Sequence, residues 1–121
     1  MAVGPNITMT PEQRMAAIEG HAGFGEQQTL SADGAISLKQ GVAMISKGSA
    51  AAITLAAPTS GTDDGKVLTI QPSTAFAHVV TVTSMRGGTT LTFGATTGDF
   101  AVLRAMGGFW YVMQMKNVTL A

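Results

Sequence analysis

From Ala35 onward, apolar and polar residues alternate with a period of two, as they do in strands whose successive side chains point to opposite faces. Ile36 and Leu38 alternate with Ser37 and Lys39, and Val42 and Met44 begin a second strand ending near Lys47-Gly48. Ala51, Ile53 and Leu55 share one face of a third, closed by Pro58. A polar loop from Thr59 to Gly65 leads into Lys66-Val67-Leu68-Thr69-Ile70. Val80 and Val82 alternate with Thr81 and Thr83 before a turn at Arg86-Gly87-Gly88, and Leu91 and Phe93 alternate with Thr90 and Thr92 on the return. Phe100, Val102 and Arg104 alternate with Ala101, Leu103 and Ala105. Gly107-Gly108 then turns the chain into a run from Phe109 to Met115, and Val118 with Leu120 closes the series. About eight short strands, spaced roughly 8–12 residues apart, predict an all-β fold: a small antiparallel sandwich or barrel.

Residues 1 to 34 follow another pattern and are assigned to an N-terminal arm, with the β-domain spanning 35–121. The arm signals one short helix. Thr10 suits the N-cap, Pro11 the first helical position, and Gln13 the far side of a capping box. Met15, Ile18 and Ala22 fall near one face, and Gly20 offers a stop. A helix of about nine residues does not persist alone in water, so it is expected to dock on another surface. Pro11, Met15, Ile18 and Phe24 are the candidate attachment residues. The stretch 23–28, Gly-Phe-Gly-Glu-Gln-Gln, reads as a flexible tether.

Composition adds a constraint. A chain of 121 residues with 45% apolar residues can bury one core. Only 12% of its residues are charged, about half the usual share. A surface so poor in charge suits a protein partly covered by neighbouring subunits. Seven basic residues balance seven acidic ones without clustering in the sequence, which argues against a nucleic-acid partner, since phosphate binding needs a basic face. No apolar run is long enough to span a membrane. The N-terminus has neither the basic nor the apolar segment of a secretion signal, and there are no cysteines. Synthesis in a cytoplasm is the expectation.

Candidate chemistry is sparse. Asp63-Asp64-Gly65 lacks the spaced companion carboxylates of a calcium loop and reads as turn chemistry. His21 and His78 are the two histidines, too few for a zinc site, and no nucleophile elbow accompanies them. His78 beside Val79 and Val80 reads as a structural histidine. No metal, cofactor or catalytic residue is assigned, and the expectation is that the chain is not an enzyme. Asn6-Ile7-Thr8 and Asn117-Val118-Thr119 match the glycosylation triplet, read as chance matches without a secretion signal. Phe109-Trp110-Tyr111 holds three of the seven aromatics. Successive strand residues face opposite ways, so Trp110 and Tyr111 cannot line one platform. One side feeds the core, and the pair is also the candidate subunit interface.

Several stretches resemble small β-domains in structural proteins of tailed bacteriophages, especially head decoration (capsid cement) proteins. They are Ala52 to Pro58, Asp64 to Ile70, Ala77 to Val82, the Gly-rich run to Phe93-Gly94, and Gly108 to Val112 with Asn117-Val118. The resemblance covers about the last three-fifths of the chain, from Lys47 to Leu120. It implies a homotrimer on the outside of an assembled capsid, made in the host bacterial cytoplasm, with the major capsid protein and itself as partners. The arm would then reach along the shell or onto the next subunit. The alternative is a fibre or receptor-binding module that recognises host surface glycan.

Overall fold

A computed structural model describes residues 26–121, which form ten strands and no helix. The strands are β1 (Glu26–Leu30), β2 (Gly34–Ile36), β3 (Gly41–Ile45), β4 (Ala52–Leu55), β5 (Val67–Pro72), β6 (Val79–Val82), β7 (Thr90–Phe93), β8 (Phe100–Met106), β9 (Phe109–Lys116) and β10 (Val118–Leu120). They build two five-stranded sheets, ordered β1-β3-β5-β8-β9 and β10-β7-β6-β4-β2. The all-β expectation holds, while the helix expected around Pro11–Glu19 lies outside the described residues.

The sheets are mixed rather than antiparallel. Strands β1 to β6 pass alternately from one sheet to the other, so β1, β3 and β5 run parallel in the first, and β2, β4 and β6 run parallel in the second. The chain then reverses: β7 pairs antiparallel with β6, β8 with β5, β9 with β8 and β10 with β7. Alternation with a period of two is identical in both kinds of sheet, and short connections resemble hairpins. Here the connections after β1, β2, β3, β4 and β5 cross between layers instead of folding back, and each parallel crossover contains a strand of the opposite sheet.

The tether expectation is corrected at its C-terminal end. Glu26 to Leu30 pair along their whole length with Gly41 to Ile45, so the sheet begins inside the stretch assigned to the arm. Gln28 is half-buried yet polar, and Leu30 is the only apolar residue of β1, which is why this strand shows no apolar alternation. Its position depends on Gly41. A Cβ there would run into the backbone of Glu26, and the Gly41 φ of +136° is one that side-chain-bearing residues rarely adopt. We expect Gly41→Ala to release β1. The cost should be about 2–3 kcal/mol, limited by the burial of Leu30 that β1 contributes. Hydrogen exchange should show lost protection in β1 and in the facing edge of β3; unchanged protection would contradict this.

Between the layers lies one core. Ala43, Ile45, Leu68, Ile70, Ala101, Leu103, Ala105 and Trp110 face Ile36, Ile53, Leu55, Val80, Val82, Leu91 and Phe93. Trp110, the largest of these, sits across from Ala105 in the β8–β9 ladder, where a small residue leaves room for the indole. Gly107 and Gly108, with φ of 62° and 85°, make the two-residue turn between those strands, as a hairpin with two left-handed positions requires. Asp64 steadies it by accepting a hydrogen bond from the Gly107 N–H at 2.8 Å.

Candidate functional site

The chemistry-bearing side chains gather on the outer face and free edge of the β8–β9 hairpin. Leu103 and Ala105 point inward, so Phe100, Val102, Arg104 and Met106 point outward. The register sets Arg104 beside Tyr111, Met106 beside Phe109, and Phe100 beside Lys116. Arg86, in the β6–β7 connection, reaches the same end of this face, its guanidinium 3.8 Å from the Phe109 ring centroid, a cation–π contact. Met106 is 49% exposed and Arg104 is exposed beside it.

Electrostatics single out the same face. Lys39 pairs with Glu26 at 3.0 Å, Lys47 with Asp33 at 2.8 Å, and Lys66 with Asp63 at 2.7 Å. Among the described residues, the cations without such a partner are Arg86, Arg104 and Lys116, all on this hairpin or against it. The two remaining acidic side chains among the described residues are engaged elsewhere: Asp64 with the Gly107 N–H, and buried Asp99 with the Thr96 N–H and the Asn117 amide. The face therefore offers positive charge and apolar surface together.

β9 is also an edge strand, and its edge is only partly covered. The Trp110 N–H donates to the Ser84 carbonyl at 2.8 Å, and the Arg86 N–H donates to the Trp110 carbonyl at 2.9 Å. That connection covers the edge at Trp110 and no further. Beyond it, Val112 to Lys116 have no strand on that side among the described residues. A bulge opposite Val102 and Leu103 leaves Met113 as the extra residue, 56% exposed, with Met115 at 37%.

The aromatic pair separates as the pleat requires. Trp110 is 1% exposed, and its Nε1–H donates to the Ala56 carbonyl at 2.9 Å. It belongs to the core of this chain and is not available to a neighbouring subunit. Tyr111 is half-buried on the outer face and remains available. Pro11, Met15, Ile18 and Phe24, the attachment candidates of the arm, lie outside the described residues.

The other singled-out residues are committed within the fold. Asp63 accepts hydrogen bonds from Lys66 Nζ at 2.7 Å and from the Thr59 N–H at 2.7 Å, and these, the Lys66 bond foremost, hold its carboxyl below the usual range. Its role is loop closure. His78 is fully buried. Its Nδ1 accepts from the Ala51 N–H at 3.0 Å, while Thr74 Oγ1, which donates to the Lys47 carbonyl at 2.7 Å, lies 2.9 Å from Nε2. That arrangement fits a neutral ring carrying its proton on Nε2, and burial lowers its pKa below the usual value. Both ring nitrogens and the adjacent hydroxyl are occupied, so His78 ties the β3–β4 and β5–β6 connections together and has no free nitrogen to act as a base. Asn117, at a φ of 54°, directs its side chain to Asp99.

The gathering of cations was missed because the three residues are far apart along the chain. Part of it was nevertheless legible: counting outward from Gly107-Gly108 pairs 106 with 109, 105 with 110 and 104 with 111. Arg86 carried no such signal, since its place depends on the bridge between Met85 and Trp110. No protein-family model matches this chain, and no curated protein matches it.

Proposed function

We propose that the chain is a structural protein of a tailed bacteriophage that binds the outside of the assembled capsid as a homo-oligomer, a trimer, and stabilises the shell. Its partners are the major capsid protein and further copies of itself. The observation that carries this reading is the outer face of β8–β9, where Met106, Phe109 and Tyr111 lie beside Arg86 and Arg104 while Lys116 stands at the far end of the same face, three cations that pair with no carboxylate among the described residues. An exposed methionine flanked by half-buried aromatics, among charges of one sign, suits a partner surface that is apolar and acidic. The phage resemblance supplies the identity of that partner. The arm, through Pro11, Met15, Ile18 and Phe24, is assigned a share in attachment. No covalent step is needed, because a ligand that binds only the assembled shell stabilises it by mass action, about 2.7 kcal/mol per site at a hundredfold excess over its dissociation constant. A glycan-binding fibre module would draw on exposed aromatics for stacking, and Trp110 is not free to serve.

The test is to add the protein to capsids stripped of it, and to measure occupancy and heat resistance. Wild-type protein should restore both. The double variant Met106→Glu/Arg104→Glu should fold normally, because both side chains are exposed and such changes usually alter stability by less than about 0.5 kcal/mol. It should bind at least about tenfold more weakly, as loss of a buried methionine contact and reversal of a charge require. Equal decoration by both proteins, or none by the wild type, would contradict the proposal.

A further inference from the structure

The two sheets have four edges, and three are protected. β2 and β10 have three residues each, and β1 is polar from Glu26 to Thr29. Short or polar edges resist the pairing that an open strand invites. β9 differs: it is the longest strand at eight residues, contains no proline, and has one charge, at Lys116. The β6–β7 connection covers its edge at Trp110. The five residues Val112 to Lys116 are left without a partner on that side among the described residues.

We infer that this open stretch of β9 receives residues 6–10 of a second copy of the chain as an added strand. The inference rests on the oligomer reading above. Asn6-Ile7-Thr8-Met9-Thr10 alternates apolar with polar residues and is bounded by Pro5 and Pro11, which cannot donate to a ladder. The segment is thus five residues long, enough to span the four ladder positions that the open edge offers once Met113 is bulged out. A parallel strand with Thr8 level with Gln114, and with Met113 passed over as the bulged residue, sets Met9 beside Met115 and Ile7 beside Val112. Both β9 residues lie on the core side, across from Ala101 and Leu103. Thr8 and Thr10 then join Gln114 and Lys116 on the outer face. Glu12 follows within reach of Lys116, and Glu12 and Glu19 outnumber Arg14 in residues 1–25, matching the unpaired cations of the hairpin.

The position of β1 favours a second copy over the chain's own segment. Residue 25 joins β1 at the edge of the first sheet opposite β9, about 20 Å away across four strand spacings. In a ring of copies related head to tail, the β1 edge of one copy faces the β9 edge of the next. A segment leaving β1 then meets the neighbour's open edge without crossing its own sheet.

The chain has no cysteine, so introduced thiols report cleanly. Full-length Thr8→Cys protein and full-length Gln114→Cys protein are refolded together and oxidised mildly. Neighbouring strands hold paired Cβ atoms close enough for a disulfide. The mixed disulfide should form about tenfold faster than between Thr8→Cys and Thr119→Cys, whose thiol lies on β10 of the other sheet, because pairing raises the effective concentration. Equal rates would overturn the inference. So would a disulfide confined within single chains of the double variant Thr8→Cys/Gln114→Cys, which would place the chain's own segment on the edge. Light scattering on the same samples separates the two claims. Oligomers without the 8–114 disulfide overturn this inference alone, whereas monomers throughout remove the oligomer reading and this inference with it.

Discussion

Trp110→Ala should be the most damaging single substitution in the described domain. The indole is the largest fully buried side chain, and truncating a buried tryptophan costs about 3–5 kcal/mol in lost transfer energy and residual cavity. Ala105 across the ladder is too small to fill the space. The Ala56 carbonyl also loses its donor, which removes one hydrogen bond with a net contribution of about 1 kcal/mol. For a domain of this size, roughly 4–8 °C of thermal midpoint follows each kcal/mol, so a fall on the order of 20 °C is expected. Trp110→Phe isolates part of this effect. It keeps most of the apolar contact but not the hydrogen bond, and should cost about 1–3 kcal/mol. Thermal melts of the three proteins decide the matter. A Trp110→Ala protein melting within a few degrees of wild type would mean that the β8–β9 hairpin is not packed as described.

The second large effect concerns His78 and has a pH signature. Burial holds the folded-state pKa below that of the unfolded chain. The unfolded state therefore takes up a proton first as pH falls. Stability is fully present above about pH 6.5, the ordinary histidine value. Below it, stability declines as pH falls towards the lowered folded-state pKa, by up to about 1.4 kcal/mol per pH unit. A proton added at Nδ1 would also face the Ala51 N–H, converting an accepted hydrogen bond into a clash of donors. Asp33 and Asp63, whose carboxyls are held low by Lys47 and Lys66 respectively, add acid sensitivity only below the usual carboxylate range. His78→Ala should cost about 2–4 kcal/mol at neutral pH, from the cavity and the unpaired Ala51 N–H. It should also abolish the step that begins near pH 6.5. Denaturant melts across pH 4–8 test both; a wild-type protein with flat stability between pH 6.5 and 5 would contradict the buried neutral ring.

Which parts of this molecule could be read in advance follows from what each signal measures. Alternation records which side of a strand is buried, and Ile53, Leu55, Val80, Val82, Leu91 and Phe93 all point inward as the pattern required. It is silent on strand direction, so the parallel stacking of β1, β3 and β5 was not visible. It is equally silent where a strand is polar, which concealed Glu26 to Thr29. Turn chemistry was legible wherever glycine pairs forced it, as at Gly107-Gly108. The candidate site was harder. Arg104 and Tyr111 followed from the hairpin, but Arg86 and the half-open edge of β9 arise from contacts between distant segments. Trp110 shows the limit of composition: a lone tryptophan beside a tyrosine suits an interface equally well until the pleat sends one of them inward.

The central claim is that this domain works by attachment to an assembled shell, and imaging of phage particles tests it most directly. Particles with the protein, and particles lacking it, are compared by cryo-electron microscopy and three-dimensional reconstruction. The account predicts extra density on the outside of the capsid at threefold or local threefold positions, sized for three copies, with the outer face of β8–β9 turned towards the shell. Density confined to the tail or its fibres, or no difference between the two capsid surfaces, would contradict it.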